Sequence, residues 1–191
     1  MENILAMLIL ASQSATRKAL LQQAGLDFTC QPAVIDERTL EVATLEAGGD
    51  GRDVALLLAQ HKALTVSGTH PGAVVIGADQ TLSLGTELLH KPNDHQGAAN
   101  QLDHLKGKTH RLHAAVALAR AGKLIWSDIQ TAELTMRAFT NAERDDVLAR
   151  EGDALLGSVG SYRLEGPSIR LFETVTGDYF SILGLPLLPL L

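Results

Sequence analysis

Two uninterrupted apolar runs stand out along the chain, Met-Leu-Ile-Leu-Ala over 7–11 and Ala-Val-Val-Ile-Gly-Ala over 73–78. Short runs without polar alternation suit strands buried on both faces. After the first run, Ser14 can cap a helix that Gly25 would stop, with Arg17, Leu20, Leu21 and Ala24 on one stripe. Residues 28–30 predict a second short strand, and Gly48-Gly49-Asp50-Gly51 a loop. From Asp53 a helix is expected, because Val54, Leu57, Leu58, His61 and Thr65 recur at helical spacing. The second apolar run ends in the carboxylate of Asp79. A helix follows over 94–105, and strand-like segments over 109–119 and 124–136 flank Ala121-Gly122, which reads as a hairpin turn. Thr140 and Glu143 have the spacing of a capping box. The pattern predicts one α/β domain over 1–191, a mixed central β-sheet flanked by helices.

Composition narrows the function. Of the 191 residues, 46% are hydrophobic and 20% charged, the balance of a globular chain. A formal net charge of −6 opposes a surface that grips a nucleic-acid polymer, yet leaves room for a small polyphosphate in a local basic pocket. Cys30 is the single cysteine, which excludes an internal disulfide and a thiolate zinc cluster and fits a reducing compartment. The first apolar run has no Lys or Arg before it, so a secretory signal is not expected. The apolar stretch over 180–191 is too short to span a bilayer and is broken by Pro186 and Pro189. The expected location is cytoplasmic, without a membrane partner.

No Walker loop, dinucleotide fingerprint, zinc helix motif or nucleophile elbow is present. His110 and His113, three apart on a strand, face opposite sides and cannot share a metal. What remains are hard oxygen donors and cations. Asp36, Glu37, Asp79 and Glu165 are candidates to bind magnesium or activate water, and Arg17, Lys62 and Lys91 to face a polyphosphate. Arg17 in a first helical turn opposes the helix dipole, and a bound anion reverses that sign. Free N–H groups, the Ser12 and Ser14 hydroxyls and the guanidinium would then form a phosphate cradle. A solvated arginine on an ordinary strand-turn-helix fits these residues equally well. Lys62, at the edge of an apolar stripe, also reads as a snorkelling surface lysine.

The segments LILASQSATRKALLQQAGLDF, IDER, HKA, VIGADQT, HKP, GSYRLEG and GDYFSILGLPL, in this order, resemble the Maf family of nucleoside triphosphate pyrophosphatases. The resemblance implies a Maf/ITPase-like α/β fold with two lobes around a deep cleft, and a possible homodimer. It implies hydrolysis of a nucleoside triphosphate to the monophosphate and pyrophosphate with a divalent metal, Mg2+ or Mn2+, and clearance of pyrimidine or modified nucleotides from precursor pools. Position by position, Ser12, Ser14 and Arg17 match the phosphate-side motif, Glu37 its acidic residue, Lys62 the lysine of the second helix and Lys91 that of the Lys-Pro pair. Asp79 matches the proposed base, with Glu37 and Asp79 holding metal or water, and Gln80 and the loop over 162–165 lie toward base and sugar. Ala15 and Thr16 replace a usual Pro-Arg, and Ala19 a common Glu, so one cation of the phosphate side is missing. Gln80, Glu165 and Leu171-Phe172-Glu173 resemble the branch acting on 7-methyl-GTP, in some members UTP or CTP, more than the dTTP/UTP branch. An ionised Glu165 would favour the positive charge of a 7-methylated guanine; alternatively it pairs with Arg163 and never meets the base. The reading from another class is a nucleotide-binding regulator of septum formation with low turnover.

Overall fold

The structure, a computed structural model, describes residues 7–191. Its elements in chain order are β1 (Leu8–Leu10), α1 (Ala15–Gln23), β2 (Thr29–Cys30), α2 (Glu37–Glu46), α3 (Gly51–Thr69), β3 (Val74–Leu84), β4 (Glu87–Leu89), α4 (His95–Leu105), β5 (Thr109–Arg120), β6 (Lys123–Met136), α5 (Asn141–Glu151), β7 (Phe172–Thr176), α6 (Tyr179–Ile182) and α7 (Leu187–Leu190). Two 3₁₀ turns, Gly152–Gly157 and Pro167–Leu171, connect α5 to β7. The strands form one mixed sheet in the order β2-β1-β3-β5-β6-β7, with β4 paired to β3. The expected α/β class, a mixed sheet flanked by helices, is the one found.

Local chemistry explains most boundaries. Ser14 caps α1 by accepting from the Arg17 N–H, and Asp94 caps α4 from the Gly97 N–H. Thr140 and Glu143 close a reciprocal capping box on α5. Ala121 and Gly122 both adopt positive φ (49° and 73°), the conformation of a two-residue hairpin turn that follows the twist of β5 and β6.

Three expectations need correction. Asp36 is a helix cap, accepting from the Thr39 N–H (3.0 Å) and hydroxyl (2.8 Å) at the start of α2. This helix escaped the hydrophobic pattern because its apolar residues bury little: Val42 and Leu45 are exposed and its one buried residue is Glu41. Next, α3 begins at Gly51 rather than Asp53, since Asp50 is the N-cap and Asp53 completes a capping box. Finally, β3 does not end at Asp79 but runs on to Leu84.

What changes near Asp79 is the neighbour of β3. Along one edge β5 pairs with it from Val74 to Ser83. On the other edge β1 covers Val74 to Ile76 and β4 covers Leu82 to Leu84. Among the described residues no strand pairs with 77–81 on that edge, and the sheet opens there. The two faces are packed differently. Ala55, Ala59 and Ala63 of α3 meet Ala115, Ala117 and Ala119 of β5, small against small, which draws α3 onto the sheet. A Cβ on Gly77 would lie 2.1 Å from the Ala59 carbonyl oxygen, so the closeness demands glycine. The opposite face carries two clusters: Leu10, Leu20, Leu21, Ile76 and Ala78 with Leu185 and Leu187, and Leu82, Leu102, Leu105 and Leu112 with Phe139 and Tyr162. Between them, at the gap in the sheet edge, lies the cleft.

Candidate active site

The cleft has a volume of about 1110 Å³, and nine candidate residues from the sequence line it, Ser12, Ser14, Arg17, Glu37, Lys62, Asp79, Gln80, Lys91 and Glu165, whereas the candidate Asp36, the cap of α2, does not. Side chains alternate along β3, so Asp79 and Gln80 leave the strand on opposite faces. The open edge lets both reach the same space.

Asp79 meets α3. Its Oδ1 accepts from the Lys62 Nζ at 2.5 Å, and the same ammonium lies 2.8 Å from Glu37 Oε1 at the start of α2. Lys62 and Asp79 side chains are each only 11% exposed, so this is no snorkelling surface lysine. Burial pushes the Asp79 carboxyl above the usual carboxylate range, while Lys62 and Arg17 pull it back. A partly retained proton affinity in a carboxylate facing a cleft is what a general base requires.

Arg17 is the second cation. Its Nε donates to the Gly184 carbonyl at 2.8 Å and its Nη1 to the Ser12 hydroxyl at 3.3 Å. The half-buried guanidinium is therefore not left to solvent alone: a carbonyl 167 residues along the chain offsets the unfavourable first-turn placement. Burial lowers its proton affinity, opposed by the fields of Asp79 and Glu37. Ser12 also accepts from the Ser14 N–H at 3.1 Å, ordering the turn into α1. The turn residues from Ala11 to Arg17 all face the cleft, with the N-terminus of α1 among them. Gln80 donates its amide to the Ser181 and Ile182 carbonyls, both at 3.0 Å, and so holds the segment that presents Gly184.

Arg38, Glu41 and His90 also line the cleft and had no role in the sequence reading. Arg38 Nη1 pairs with Glu41 Oε1 at 2.6 Å, and His90 Nε2 approaches the same oxygen at 3.5 Å. Recognising Asp36 as a cap would have revealed α2 and placed Glu37 and Glu41 on one helical face. On the far wall, Arg163 Nε donates to Glu165 Oε1 at 3.2 Å, and its Nη1 lies 3.6 Å from the buried Glu151. Tyr162, another lining residue, bonds through its hydroxyl to His110 Nε2 at 2.7 Å. His113 bonds instead to Ser83 and Thr131, and the two histidines do not converge. Among the described residues no group of three or more His, Cys, Asp or Glu is placed to hold a metal ion, and no helix is long and apolar enough to cross a membrane.

Such an arrangement, an α/β sheet whose broken edge brings cations, a helix N-terminus and paired carboxylates together, defines a cleft for a polyanion and its hydrolysis. Residues 7–191 match the family described as Maf-like protein, and the chain belongs to the Maf family. It is 52% identical over 184 residues to a 7-methyl-GTP pyrophosphatase of Brucella abortus, covering 96% of this chain and 92% of that one. A 7-methyl-GTP pyrophosphatase of Mesorhizobium japonicum is 50% identical over the same shares. A nucleoside triphosphate pyrophosphatase of Bradyrhizobium diazoefficiens is 52% identical over 96% of this chain and 90% of its own. Among solved structures, a HAM1 protein from Coxiella burnetii overlaps weakly (TM-score 0.43, 16% identity, 70% of this chain and 74% of that one).

Proposed function

We propose that the chain hydrolyses 7-methyl-GTP to 7-methyl-GMP and pyrophosphate in the cytoplasm, clearing a modified nucleotide from precursor pools. The broader activity follows from the family and from relatives at about half identity: the chain is a nucleoside triphosphate pyrophosphatase, a hydrolase. The observation that carries the reading is Lys62 bound between Glu37 and Asp79 beside the enclosed Arg17.

In this reading the triphosphate lies against the N-terminus of α1, contacted by Ser12, Ser14, Arg17 and Lys91. A water oxygen bonds to the α-phosphorus, and the bond from that phosphorus to the bridging oxygen breaks. Pyrophosphate leaves with the electron pair, and the proton of the water passes to Asp79. Arg17 and Lys62 meet the charge that spreads over the phosphate oxygens, in a site partly closed to solvent where such interactions are strongest. Two carboxylates converging on one ammonium mark a place where a cation belongs, and their hard oxygens suit magnesium or manganese completed by phosphate and water oxygens. Glu37 and Asp79 would hold that ion, which supplies Lewis-acid polarisation of the phosphate when bound.

Glu165, on the far wall, supports the choice of base. Its carboxylate faces a ring that 7-methylation makes cationic, where a glutamine would offer an amide without charge. The test is a panel of nucleotides with magnesium and with manganese, scoring pyrophosphate separately from orthophosphate. Pyrophosphate plus monophosphate, fastest with 7-methyl-GTP, is expected. Orthophosphate plus diphosphate would sink the reaction, dTTP as best substrate would sink only the base, and stoichiometric binding without turnover would turn the reading toward a regulator.

A further inference from the structure

Glu151 occupies a position that electrostatics disfavours twice. Its side chain is 1% exposed, and it ends α5, where the negative pole of the helix repels a carboxylate. It is held there by three contacts from two neighbours. Oε1 accepts from the Ser168 N–H at 3.0 Å and from the Ser168 hydroxyl at 2.7 Å, and Oε2 lies 3.6 Å from Arg163 Nη1. It also fills the space beside Gly166, where a Cβ would come within 2.5 Å of Oε1. Glu151 thus sits beneath the loop over 163–168, touching it at both ends.

That loop carries Glu165 into the cleft, and Arg163 is shared by Glu151 and Glu165. One guanidinium faces two carboxylates. With Glu151 in place, Arg163 is already compensated from below, and the loop keeps a net negative charge on its cleft side. Without it, Arg163 would turn its whole charge on Glu165 and neutralise it. We infer that Glu151 is a positioning residue that, through Arg163, keeps Glu165 available to a cationic nucleobase. This rests on reading the cleft as the site of 7-methyl-GTP hydrolysis.

The test compares 7-methyl-GTP with GTP, which lacks the methyl group and its charge, by kcat/KM for pyrophosphate release in the full chain. Wild type is expected to favour 7-methyl-GTP, and Glu165→Gln to lose the preference. Glu151→Gln is expected to lower the ratio on the order of tenfold, mostly through KM, with Glu151→Asp restoring part of it. Combining Glu151→Gln with Glu165→Gln should lower the ratio no further than Glu165→Gln alone, because both act on one charge. Arg163→Gln, at a side chain 37% exposed, removes the neutralising cation and should raise the ratio; it decides the matter if Glu151→Gln fails to fold. If Glu151→Gln keeps the wild-type ratio or slows both substrates equally, if the pair is additive, or if Arg163→Gln lowers the ratio, the inference is wrong while the base assignment stands. If wild type shows no preference, or Glu165→Gln keeps it, the base assignment itself falls and the inference with it.

Discussion

The two walls of the cleft are built on opposite plans. The phosphate wall takes its groups from regular elements: Arg17 from α1, Glu37, Arg38 and Glu41 from α2, Lys62 from α3 and Asp79 from β3. With Lys91, its four cations face three carboxylates. The other wall is a loop between 3₁₀ turns, where Arg163 faces Glu151 and Glu165, one cation against two carboxylates. In the proposed reading one wall meets an anion, and helix and strand periodicity fixes the position of its charged groups other than Lys91. In that reading the opposite wall meets a cation; buried Glu151 ties its loop to Ser168 and Arg163, and buried Tyr162 anchors it to His110. Phosphate chemistry is common to every nucleoside triphosphate, so rigid elements can carry it; the choice of base can then reside in a loop that varies without disturbing them.

The largest effect expected is on the phosphate wall. Asp79→Asn keeps the size of the side chain and removes the proton acceptor, so kcat should fall about 10²- to 10⁴-fold while the protein still melts cooperatively. Wild-type turnover of pyrophosphate release in this variant would take Asp79 out of the mechanism. Next comes the scaffold of the same wall. Gly77→Ala places a methyl group against the Ala59 carbonyl and the Ala63 amide of α3. Forcing α3 from the sheet should cost about 3 kcal/mol in denaturant unfolding. It should also lower activity with 7-methyl-GTP and GTP alike, because Lys62 moves with the helix; a change in their ratio instead would contradict the division between the walls.

The other wall has its own signature in pH. Burial lowers the His110 pKa to about 4, and its Nε2 is bonded to the Tyr162 hydroxyl. The unfolded chain binds this proton near pH 6.5 and the folded chain does not until about pH 4, so stability is greatest above 6.5 and falls as the pH drops through that window. From these values the loss between pH 7.5 and 5 amounts to about 2 kcal/mol. In His110→Gln, which can still bond to Tyr162 but does not titrate, melting temperature should depend less on pH over this range. An unchanged slope would assign the acid sensitivity elsewhere.

Sequence made the phosphate wall legible because its parts are local. A buried strand, a serine cap and helical spacing offer Ser14, Arg17 and Lys62 as candidates, but they leave a solvated arginine and a snorkelling lysine open, and only the resemblance over the whole chain chose between these readings. The α/β class followed in the same way from β1, β3 and the β5–β6 hairpin. Where partners are distant the reading stopped. Nothing in the spacing of Arg17 points to Gly184, and nothing in Gln80 points to the carbonyls of Ser181 and Ile182. The helix α2 was hidden for another reason: it buries a glutamate rather than an apolar stripe, so the hydrophobic pattern has no signal there. Glu151 was passed over because a glutamate near the end of a polar helix is ordinarily solvated, and only the fold of the following loop buries it.

The smallest effect separates the helix α5 from the residue at its end. Thr140 caps α5 at the end opposite Glu151, accepting from the Glu143 N–H while Glu143 accepts from the Thr140 N–H. Thr140→Ala removes one side of this box and should cost about 1 kcal/mol of stability. The loss spreads over the whole folding equilibrium, whereas the tie between Glu151, Ser168 and Arg163 lies at the other end of the helix and keeps its partners. The ratio of kcat/KM for 7-methyl-GTP and GTP should therefore stay at its wild-type value while the melting temperature falls. Should the ratio move with the cap, the loop wall would be answering to general loosening of α5, and its selectivity could not be assigned to the charge held by Glu151.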